Sequence, residues 1–544
     1  MRIDRRLAFF LLFYGCLLLV PIWQLSLLEA TEARYGEIAR EMLASGNFLE
    51  PTLNGIFHFH KPPVPYWCMA AGMAIFGVND FGVRFFGIVA AVLSLYFLYR
   101  TARLFFDDRS QAFAVILTLA SAPMFIGISR AVSTDIYLTC CVMGAQFFLF
   151  RQAHGAKSTV NAVGYGLLLG LGFMVKGPVI FLFTLLPQLA SKLVDPQHRR
   201  MFGFRDMLCG LGCFLAVALP WYIAVILRHP DLLSYFTMVQ TVDRLATDRF
   251  HRNKPFWYFL YLFPATFLPY SVSFLRGIWR VRECPPRIRA LMIYVFLPLL
   301  VFCISKSKLP PYILPFFGTA ALLSVYSYRE FRSVWDDRAT FAIMMILAAG
   351  IGIAGFVWPA VNHFRTGLVC AGVITLMVCF MSRRFVITDW TLRFAPVLMI
   401  CVSVIAFVLL AIPSVQDRMK GYRPMAMKMN ELDPQRKVPT LVYMGFLPSI
   451  SFYRQELAIM AMTKPREILF EINDNYRNWY VQNEVELKGK LSIMPRVFVV
   501  TEPKHIGEFV SSMSFSCSEI LAQRNDIAYD CRPETVTPSR QLRY

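Results

Sequence analysis

The sequence predicts a polytopic α-helical membrane protein that carries a soluble α/β domain at its C-terminal end. Of its 544 residues, 56% are hydrophobic and only 17% are charged. A soluble chain of that composition would expose apolar patches that it could not cover. The hydrophobic residues also gather in runs long enough to cross a bilayer. After about residue 413 the composition becomes that of a soluble domain.

About thirteen apolar runs of roughly 17 to 25 residues are candidate membrane spans. They lie near residues 7–28, 81–104, 111–129, 135–151, 160–175, 177–194, 207–227, 256–275, 288–304, 309–327, 339–359, 366–382 and 393–412. The N-terminus is basic and runs straight into the first apolar segment with no small-residue cleavage site. We therefore expect an uncleaved first span that starts in the cytoplasm.

The distribution of basic residues among the loops predicts the orientation. Lys and Arg collect on the cytoplasmic loops of membrane proteins, and in this chain alternate loops carry them. These loops hold Arg100, Arg103, Arg109, Arg151, Lys157, Lys192, Arg205, Arg276, Arg329 and Arg383. An odd number of spans then places everything after about residue 413 on the outer side. The net charge of +20 follows from this orientation and does not indicate nucleic-acid binding.

The stretch 29–67 follows the first apolar run and is too polar to lie in hydrocarbon. Its first part has charged and apolar residues at helical spacing, which predicts a short amphipathic helix on the membrane surface. An Asn-Gly turn follows at residues 54–55. The chemistry-bearing residues of this stretch are Glu32, Arg34, Tyr35, His58, His60 and Lys61. We expect juxtamembrane helices near 29–64 and, from a similar pattern, near 229–255.

Isolated ionisable residues border the other spans on the predicted outer side. They include Asp135, Lys176, Arg244, Lys306 and Lys308. Charges at that depth are costly unless they are paired or face water, although any single Lys or Arg could instead snorkel to the interface. Cations outnumber carboxylates, which suits a phosphate or pyrophosphate group. The sequence therefore predicts a site on the outer face for a lipid-linked phosphate that enters from the bilayer.

Two smaller interpretations remain open from the residues alone. Asp135 begins a span, where a carboxylate is either a helix N-cap or a group that accepts a proton, binds a metal or orients an acceptor. His58 and His60 lie two residues apart, so in an extended segment they share a face. Together with Glu32 or another ligand, they could hold a divalent metal, and this is the only cofactor that the sequence suggests.

The region after residue 413 predicts a small α/β domain. Strand-like runs at 438–447 and 495–502 alternate with helical patterns such as 503–513. Cys517 and Cys531 are the only cysteines in this polar region, whereas the others mostly lie in apolar runs. If the region lies outside the cytoplasm, these two cysteines should form a disulfide.

Six sequence motifs together carry a resemblance to a known family. They are Thr-Glu-Ala-Arg-Tyr-Gly-Glu-Ile-Ala-Arg-Glu-Met at 31–42, Asn-Gly at 54–55, Lys-Pro-Pro at 61–63, Asp135, Lys-Gly at 176–177 and Ser-Lys-Leu-Pro-Pro-Tyr at 307–312. In these motifs the chain resembles the bacterial lipid A aminoarabinose transferases. Those enzymes are GT-C fold glycosyltransferases related to protein O-mannosyltransferases. The resemblance covers nearly the whole chain and implies thirteen spans and a periplasmic α/β domain, here residues 413–544.

The resemblance implies an inverting transfer of a sugar from a polyprenyl phosphate donor at the periplasmic face of the inner membrane. The acceptor would be lipid A or another envelope glycolipid or glycan. By position, the implied phosphate-binding residues are Arg34, Lys61, Lys176 and Arg244, with Lys308 as a further cation. Tyr35 and Tyr312 would line the cavity. Glu32 and Asp135 are the candidate catalytic carboxylates.

Two departures from the family pattern bear on the mechanism. Thr31 stands where the family usually has Asp, and His60 stands where it usually has Glu. If the acceptor is a phosphate, which is already ionised, the enzyme needs no strong base and Thr31 can replace the Asp. If the acceptor is a hydroxyl, Glu32 or Asp135 must act as the base. A protein O-mannosyltransferase-like enzyme, a lipid-linked sugar transporter and a non-catalytic lipid-binding protein therefore remain as alternatives.

Overall fold

The computed structural model describes residues 4–20, 22–195, 202–238, 253–357, 365–384, 421–463 and 476–534. The chain forms two compact units. The first unit comprises Met1–Gln24, His60–Cys68 and Arg84–Ser414, and the second comprises Leu25–Phe59, Met69–Val83 and Val415–Tyr544.

Helices dominate the chain up to residue 384. They are α1 (Arg5–Leu19), α2 (Thr31–Ser45), α3 (Val64–Phe76), α4 (Asp80–Phe105), α5 (Arg109–Ala120), α6 (Pro123–Arg130), α7 (Thr134–Ala153), α8 (Thr159–Lys176), α9 (Val179–Phe183), α10 (Leu185–Ser191), α11 (Phe204–Arg228), α12 (Leu232–Ser234), α13 (Tyr258–Thr266), α14 (Ser271–Trp279), α15 (Pro286–Ile304), α16 (Phe317–Phe331), α17 (Val334–Val357) and α18 (Arg365–Arg384). Short 3₁₀ helices lie at Ile22–Gln24, Val281–Glu283 and Pro310–Phe316. The apolar runs are thus mainly helical where the structure describes them, although some are broken into two pieces.

Several of these helices are long and apolar enough to cross a bilayer, in agreement with a multi-pass membrane protein. By length and composition, the described residues contain six such segments: Arg5–Gln24, Asp80–Phe105, Thr159–Lys176, Phe204–Arg228, Pro286–Ile304 and Val334–Ala354. Helices α5 and α6 make a seventh if they are counted as one span bent by 63°. The number thirteen stays a prediction, and the run at 393–412 lies outside the described residues.

In the first unit, α8 packs tightly on α11 because glycines face each other. A Cβ atom on Gly166 would lie 1.9 Å from the carbonyl oxygen of Gly210, so no larger side chain fits there. Small residues allow such close backbone approach between membrane helices. Helix α8 packs on α7 as well. These two contacts fix α8 between two neighbours.

The second unit contains a six-stranded mixed sheet. Its strands are β3 (Thr440–Tyr443), β4 (Ile459–Ala461), β5 (Tyr480–Val481), β6 (Val497–Thr501), β7 (Phe515–Gln523) and β8 (Asp526–Pro533). The hairpin of β1 (Thr52–Leu53) and β2 (Ile56–Phe57) forms a separate two-stranded sheet. The order is β5-β4-β3-β6-β8-β7, with parallel pairing from β5 to β6 and antiparallel pairing beyond. The helices of this region are α19 (Arg423–Leu432), α20 (Pro448–Arg454), α21 (Tyr476–Trp479), α22 (Glu484–Leu491) and α23 (Pro503–Met513).

The predicted α/β character of the C-terminal region is confirmed. Strands β3 and β6 lie inside the two predicted strand segments, and α23 coincides with the predicted helix. One face of α23, with Phe509 and Met513, packs against the sheet in a core that also holds Leu441 and Val499. The predicted domain boundary at residue 413 lies outside the described residues.

Residues 25–59 belong to the second unit, whereas the sequence placed the stretch 29–64 with the membrane domain. Helix α2 packs on α20, and the backbone N–H of Leu27 donates to the hydroxyl oxygen of Tyr453 (2.7 Å). The segment 229–255, expected to be a second surface helix, is helical at Leu232–Ser234, and its residues 239–252 lie outside the described ranges.

Four of the five charged residues of α2 are buried rather than solvated. Arg34, Glu37, Arg40 and Glu41 are each at most 6% exposed. Arg40 donates two hydrogen bonds to the Glu37 carboxylate, at 2.6 and 2.7 Å. A helix is present where it was predicted, and its placement along a membrane surface stays a prediction.

Glu41 holds the Asn-Gly turn of the hairpin that follows α2. Its carboxylate accepts hydrogen bonds from the Thr52 hydroxyl (2.6 Å) and from the backbone N–H groups of Asn54 and Gly55. Both turn residues have positive φ, 56° and 79°, as a two-residue hairpin loop requires. A Cβ atom on Gly55 would lie 2.6 Å from the Trp479 ring, so glycine is required there for space as well.

Cys517 and Cys531 form a disulfide that joins β7 to β8, and this is the pairing expected from the sequence. In the intact, non-reduced protein we expect both thiols to resist a maleimide reagent until a reductant is added. Replacing Cys531→Ser should lower the unfolding free energy of the second unit by about 3 kcal/mol, because a disulfide closing a loop of this size restricts the unfolded chain. A cysteine introduced by Ser511→Cys, at an exposed position of α23, is the control for labelling. Rapid labelling of both tail cysteines without reductant would contradict the pairing.

Glu29 is a titratable group in the interior of the second unit. Its Oε1 atom accepts a hydrogen bond from the backbone N–H of Ser449 (2.8 Å), and its Oε2 atom is buried. Burial raises the pKa of this carboxyl to about 7, in spite of the nearby Arg34. The folded protein therefore holds this proton more tightly than the unfolded chain does.

The Glu29 carboxyl predicts a pH dependence of stability. Because its folded pKa is raised, stability should fall as the pH increases from about 4.5 to about 7, by up to about 3 kcal/mol. Glu29→Gln should remove this slope and raise the unfolding temperature at pH 8 more than at pH 5. Glu486→Gln, a substitution in the first turn of α22, is the matched control. An equal effect of Glu29→Gln at both pH values would contradict the assignment.

Candidate active site

The N-terminus of α7 carries the first group of the candidate site. Ser133 is the N-cap residue, and its hydroxyl oxygen accepts a hydrogen bond from the Asp135 backbone N–H (3.1 Å). Asp135 lies in the first turn, where a carboxylate interacts favourably with the helix dipole. The interpretation of Asp135 as the N-cap is therefore wrong, and its buried carboxylate is available for a different partner.

That partner is Lys176, the last residue of α8. Gly177 ends the helix with a positive φ of 73°, and its N–H donates to the Phe173 carbonyl oxygen (2.8 Å). The Lys176 ammonium donates to Oδ1 of Asp135, while the Ser133 hydroxyl donates to Oδ2 (3.1 Å). The lysine and aspartate side chains are only 9% and 8% exposed. The ion pair thus lies where α7 begins and α8 ends.

Tyr312 completes the group. It belongs to the 3₁₀ helix Pro310–Phe316, which packs against α7. The Lys176 ammonium lies 4.5 Å from the centroid of the Tyr312 ring, a cation–π geometry that is stronger when the cation is desolvated. Three residues that are far apart in the sequence therefore meet around one ammonium group.

Lys308 lies on the loop before that 3₁₀ helix and is also buried. Its ammonium donates to the carbonyl oxygen of Ser305. Burial lowers the pKa of Lys308. In the part of the chain that the structure describes, it makes no ion pair with a carboxylate. The neighbouring Lys306 is exposed.

Two more predicted site residues belong to the first unit. Lys61 is buried, and the ring of His60 stacks on that of Tyr235 with 6.2 Å between centroids. Arg244 lies outside the described residues.

The other predicted site residues belong to the second unit. The Glu32 carboxylate accepts a hydrogen bond from the Leu28 backbone N–H (3.1 Å), and Arg34 lies over the ring of Tyr35 at 5.7 Å. His58 is buried, and its backbone N–H donates to the Pro51 carbonyl oxygen (2.8 Å).

The described residues give the metal hypothesis no support. No group of three or more His, Cys, Asp or Glu side chains with a metal-holding arrangement occurs among them. His58 and His60 fall in different units. The described residues alone thus form no metal site, and no step of the proposed reaction uses a metal.

Arg84 and Arg130 are buried cations that the sequence interpretation did not select. They are 3% and 7% exposed and lie in α4 and at the end of α6. The sequence could have identified them, because each is an arginine inside or beside an apolar run. Placing a charge at such a position costs free energy, so it indicates a function.

The chain is similar to known transferases. The family described as Dolichyl-phosphate-mannose-protein mannosyltransferase matches residues 60–223. The undecaprenyl phosphate-alpha-4-amino-4-deoxy-L-arabinose arabinosyl transferase of Pseudomonas paraeruginosa is 32% identical over 319 residues, 58% of each chain. The enzyme of the same name from Yersinia enterocolitica is 33% identical over 328 residues, again 58% of each chain. The matched segment thus spans about 58% of the length of these relatives.

Solved structures extend the likeness to nearly the whole chain. ArnT from Cupriavidus metallidurans bound to undecaprenyl phosphate superposes with a TM-score of 0.82, at 19% identity, and covers 96% of this chain and 97% of its own. The apo structure of the same protein superposes with a TM-score of 0.81. The resemblance predicted from the motifs is confirmed: the chain is similar in sequence to the aminoarabinose arabinosyl transferases and shares the fold of ArnT.

Proposed function

We propose that the protein is a glycosyltransferase that moves a sugar from an undecaprenyl phosphate-linked donor to lipid A or another envelope glycolipid or glycan. The names of its relatives support the donor class, and the ArnT structure of the same fold binds undecaprenyl phosphate. The observation that carries the proposal is the buried ammonium of Lys176 between Asp135 and Tyr312. The alternation of basic loops supports a site at the periplasmic face of the inner membrane, with a cytoplasmic N-terminus and a periplasmic C-terminal domain.

In the proposed reaction, an acceptor oxygen attacks the anomeric carbon of the sugar from the face opposite the phosphate. The bond between that carbon and the phosphate oxygen breaks, and its electron pair stays on the phosphate. Undecaprenyl phosphate therefore leaves with one more negative charge than it carried in the donor. A preorganised cation in a site without bulk water stabilises such developing charge strongly. Lys176 has this role in the proposal.

Asp135 acts in this proposal mainly by holding Lys176 in place. A phosphate acceptor needs no base, whereas a hydroxyl acceptor must give its proton to a carboxylate such as Asp135 or Glu32. The further contacts proposed for the donor or acceptor phosphates are Arg34, Tyr35, Lys61, Arg244, Lys308 and Tyr312.

The proposal predicts how variants of the ion pair affect transfer. Lys176→Ala should lower kcat at least about 100-fold, the usual loss when a group that stabilises transition-state charge is removed. Asp135→Asn should also lower it. The kcat of the double variant should be about as low as that of Lys176→Ala alone. Both substitutions disrupt the same ion pair, so their effects should not multiply. The measurement is the initial rate of sugar transfer by the purified full-length protein with an undecaprenyl phosphate-linked sugar.

The control for these variants is Lys157→Ala, which changes an exposed lysine and should leave the rate unchanged. Thermal unfolding of each variant checks that it is folded. Full activity of a folded Lys176→Ala protein would refute the proposed role of this residue. Losses that multiply in the double variant would show instead that Asp135 acts independently, as a base.

Mass spectrometry of lipid A and total glycolipids, from cells with and without the gene, identifies the acceptor. A pentose, hexose or amino-sugar mass difference on a lipid would support the proposed acceptor class. A change confined to glycoproteins would instead favour a protein acceptor, the class named by the family that matches residues 60–223.

A further inference from the structure

Arg130 is a buried cation whose charge no described residue neutralises. It ends α6, and only 7% of the residue is exposed. Within the described ranges, its Nη1 and Nη2 atoms are buried and have no hydrogen-bond partner. Among the residues that the structure describes, Arg84 and the Tyr14 hydroxyl act on its charge, and no carboxylate does. The four N–H groups on Nη1 and Nη2 are therefore buried donors without an acceptor in the described part of the chain.

A second cation lies near Arg130. Arg84 lies close enough for the two like charges to repel each other, and it is itself buried. Helix α7 begins four residues after Arg130, and a helix N-terminus carries partial positive charge. Because arginine stays protonated in proteins, this repulsion is not relieved by loss of a proton. A buried charge is retained at such a cost only where something else compensates it.

The nearest carboxylate along the chain is already engaged. Asp135 accepts from the Lys176 ammonium on one oxygen and from the Ser133 hydroxyl on the other. Each negatively charged oxygen of that residue therefore has its own donor. The missing counter-charge at Arg130 must come from a group other than Asp135.

We infer that Arg130, with Arg84 beside it, binds the phosphate group of a lipid substrate. A guanidinium presents paired N–H donors in a planar fork that matches two phosphate oxygens. A phosphate in contact with Nη1 and Nη2 would both satisfy the donors of Arg130 and screen it from Arg84. The inference rests on the proposed function, in which donor and acceptor lipids each bring a phosphate group, and it adds a second cationic site to the one at Lys176.

The test compares Arg130→Gln, Arg130→Lys and the control Arg109→Gln in the full-length protein. Arg109 is a matched arginine whose side chain is 76% exposed. The binding of undecaprenyl phosphate is measured without any sugar transfer, and so is the binding of lipid A before and after its phosphates are removed. Initial transfer rates then give the KM for each lipid.

We expect Arg130→Gln to weaken the binding of a phosphate-bearing lipid about 10- to 100-fold, as the loss of a charge-assisted hydrogen-bonded pair does. Arg130→Lys should recover part of the affinity, and Arg109→Gln should change nothing. Weaker binding of undecaprenyl phosphate would identify the donor phosphate as the ligand. A loss limited to lipid A, and absent after its phosphates are removed, would identify the acceptor phosphate.

The unfolding temperature without ligand distinguishes phosphate binding by Arg130 from a purely structural role. Arg130→Gln removes a charge that lacks a counter-charge, so the variant should unfold at the same temperature as the unchanged protein or higher. A lower unfolding temperature with unchanged affinity for both lipids would overturn the inference. Because binding is measured without transfer, a protein with no transferase activity would refute the proposed function and still decide the role of Arg130.

Discussion

The ion pair between Lys176 and Asp135 is the interaction on which the candidate site depends. Both groups are buried, so each would be strongly destabilising without the other. The pair joins the end of α8 to the beginning of α7, and the contact between Gly166 and Gly210 holds α8 against its other neighbour. The backbone packing thus fixes the position of an ammonium group that has one face toward a carboxylate and another toward an aromatic ring.

The sequence predicted the members of this site better than their arrangement. Asp135, Lys176 and Tyr312 were selected because charges beside apolar runs are costly, and because the motifs resemble those of a family. No spacing in the sequence brings these three residues together, since their contact depends on how separate helices pack. Arg130 was not selected because an arginine beside a span is equally compatible with snorkelling, and only its burial in the fold excludes that interpretation.

The α2 segment shows the opposite outcome. Its helix and the Asn-Gly turn after it were predictable, because helical spacing and turn chemistry are local properties. The burial of its charges was not predictable, because it depends on chain that lies about 400 residues away. The Asn54 side chain donates to the carbonyl oxygen of Ala458 and accepts from the hydroxyl of Ser451. In a sequence, an Arg and a Glu three residues apart look the same whether their side chains face water or form a buried ion pair. Glu37 and Arg40 form a buried ion pair.

The buried cations of the chain differ in whether a carboxylate contacts them, and in the first unit Lys176 is one that Asp135 contacts. In the second unit, Arg40 and the fully buried Arg454 each contact a carboxylate, so the fold supplies the counter-charge. In the first unit, Lys308 and Arg130 contact no carboxylate among the described residues. A fold that places cations in a low-dielectric region without counter-charges is more stable when an anion binds. The phosphate of a lipid substrate would supply that anion, so its binding would stabilise the folded protein.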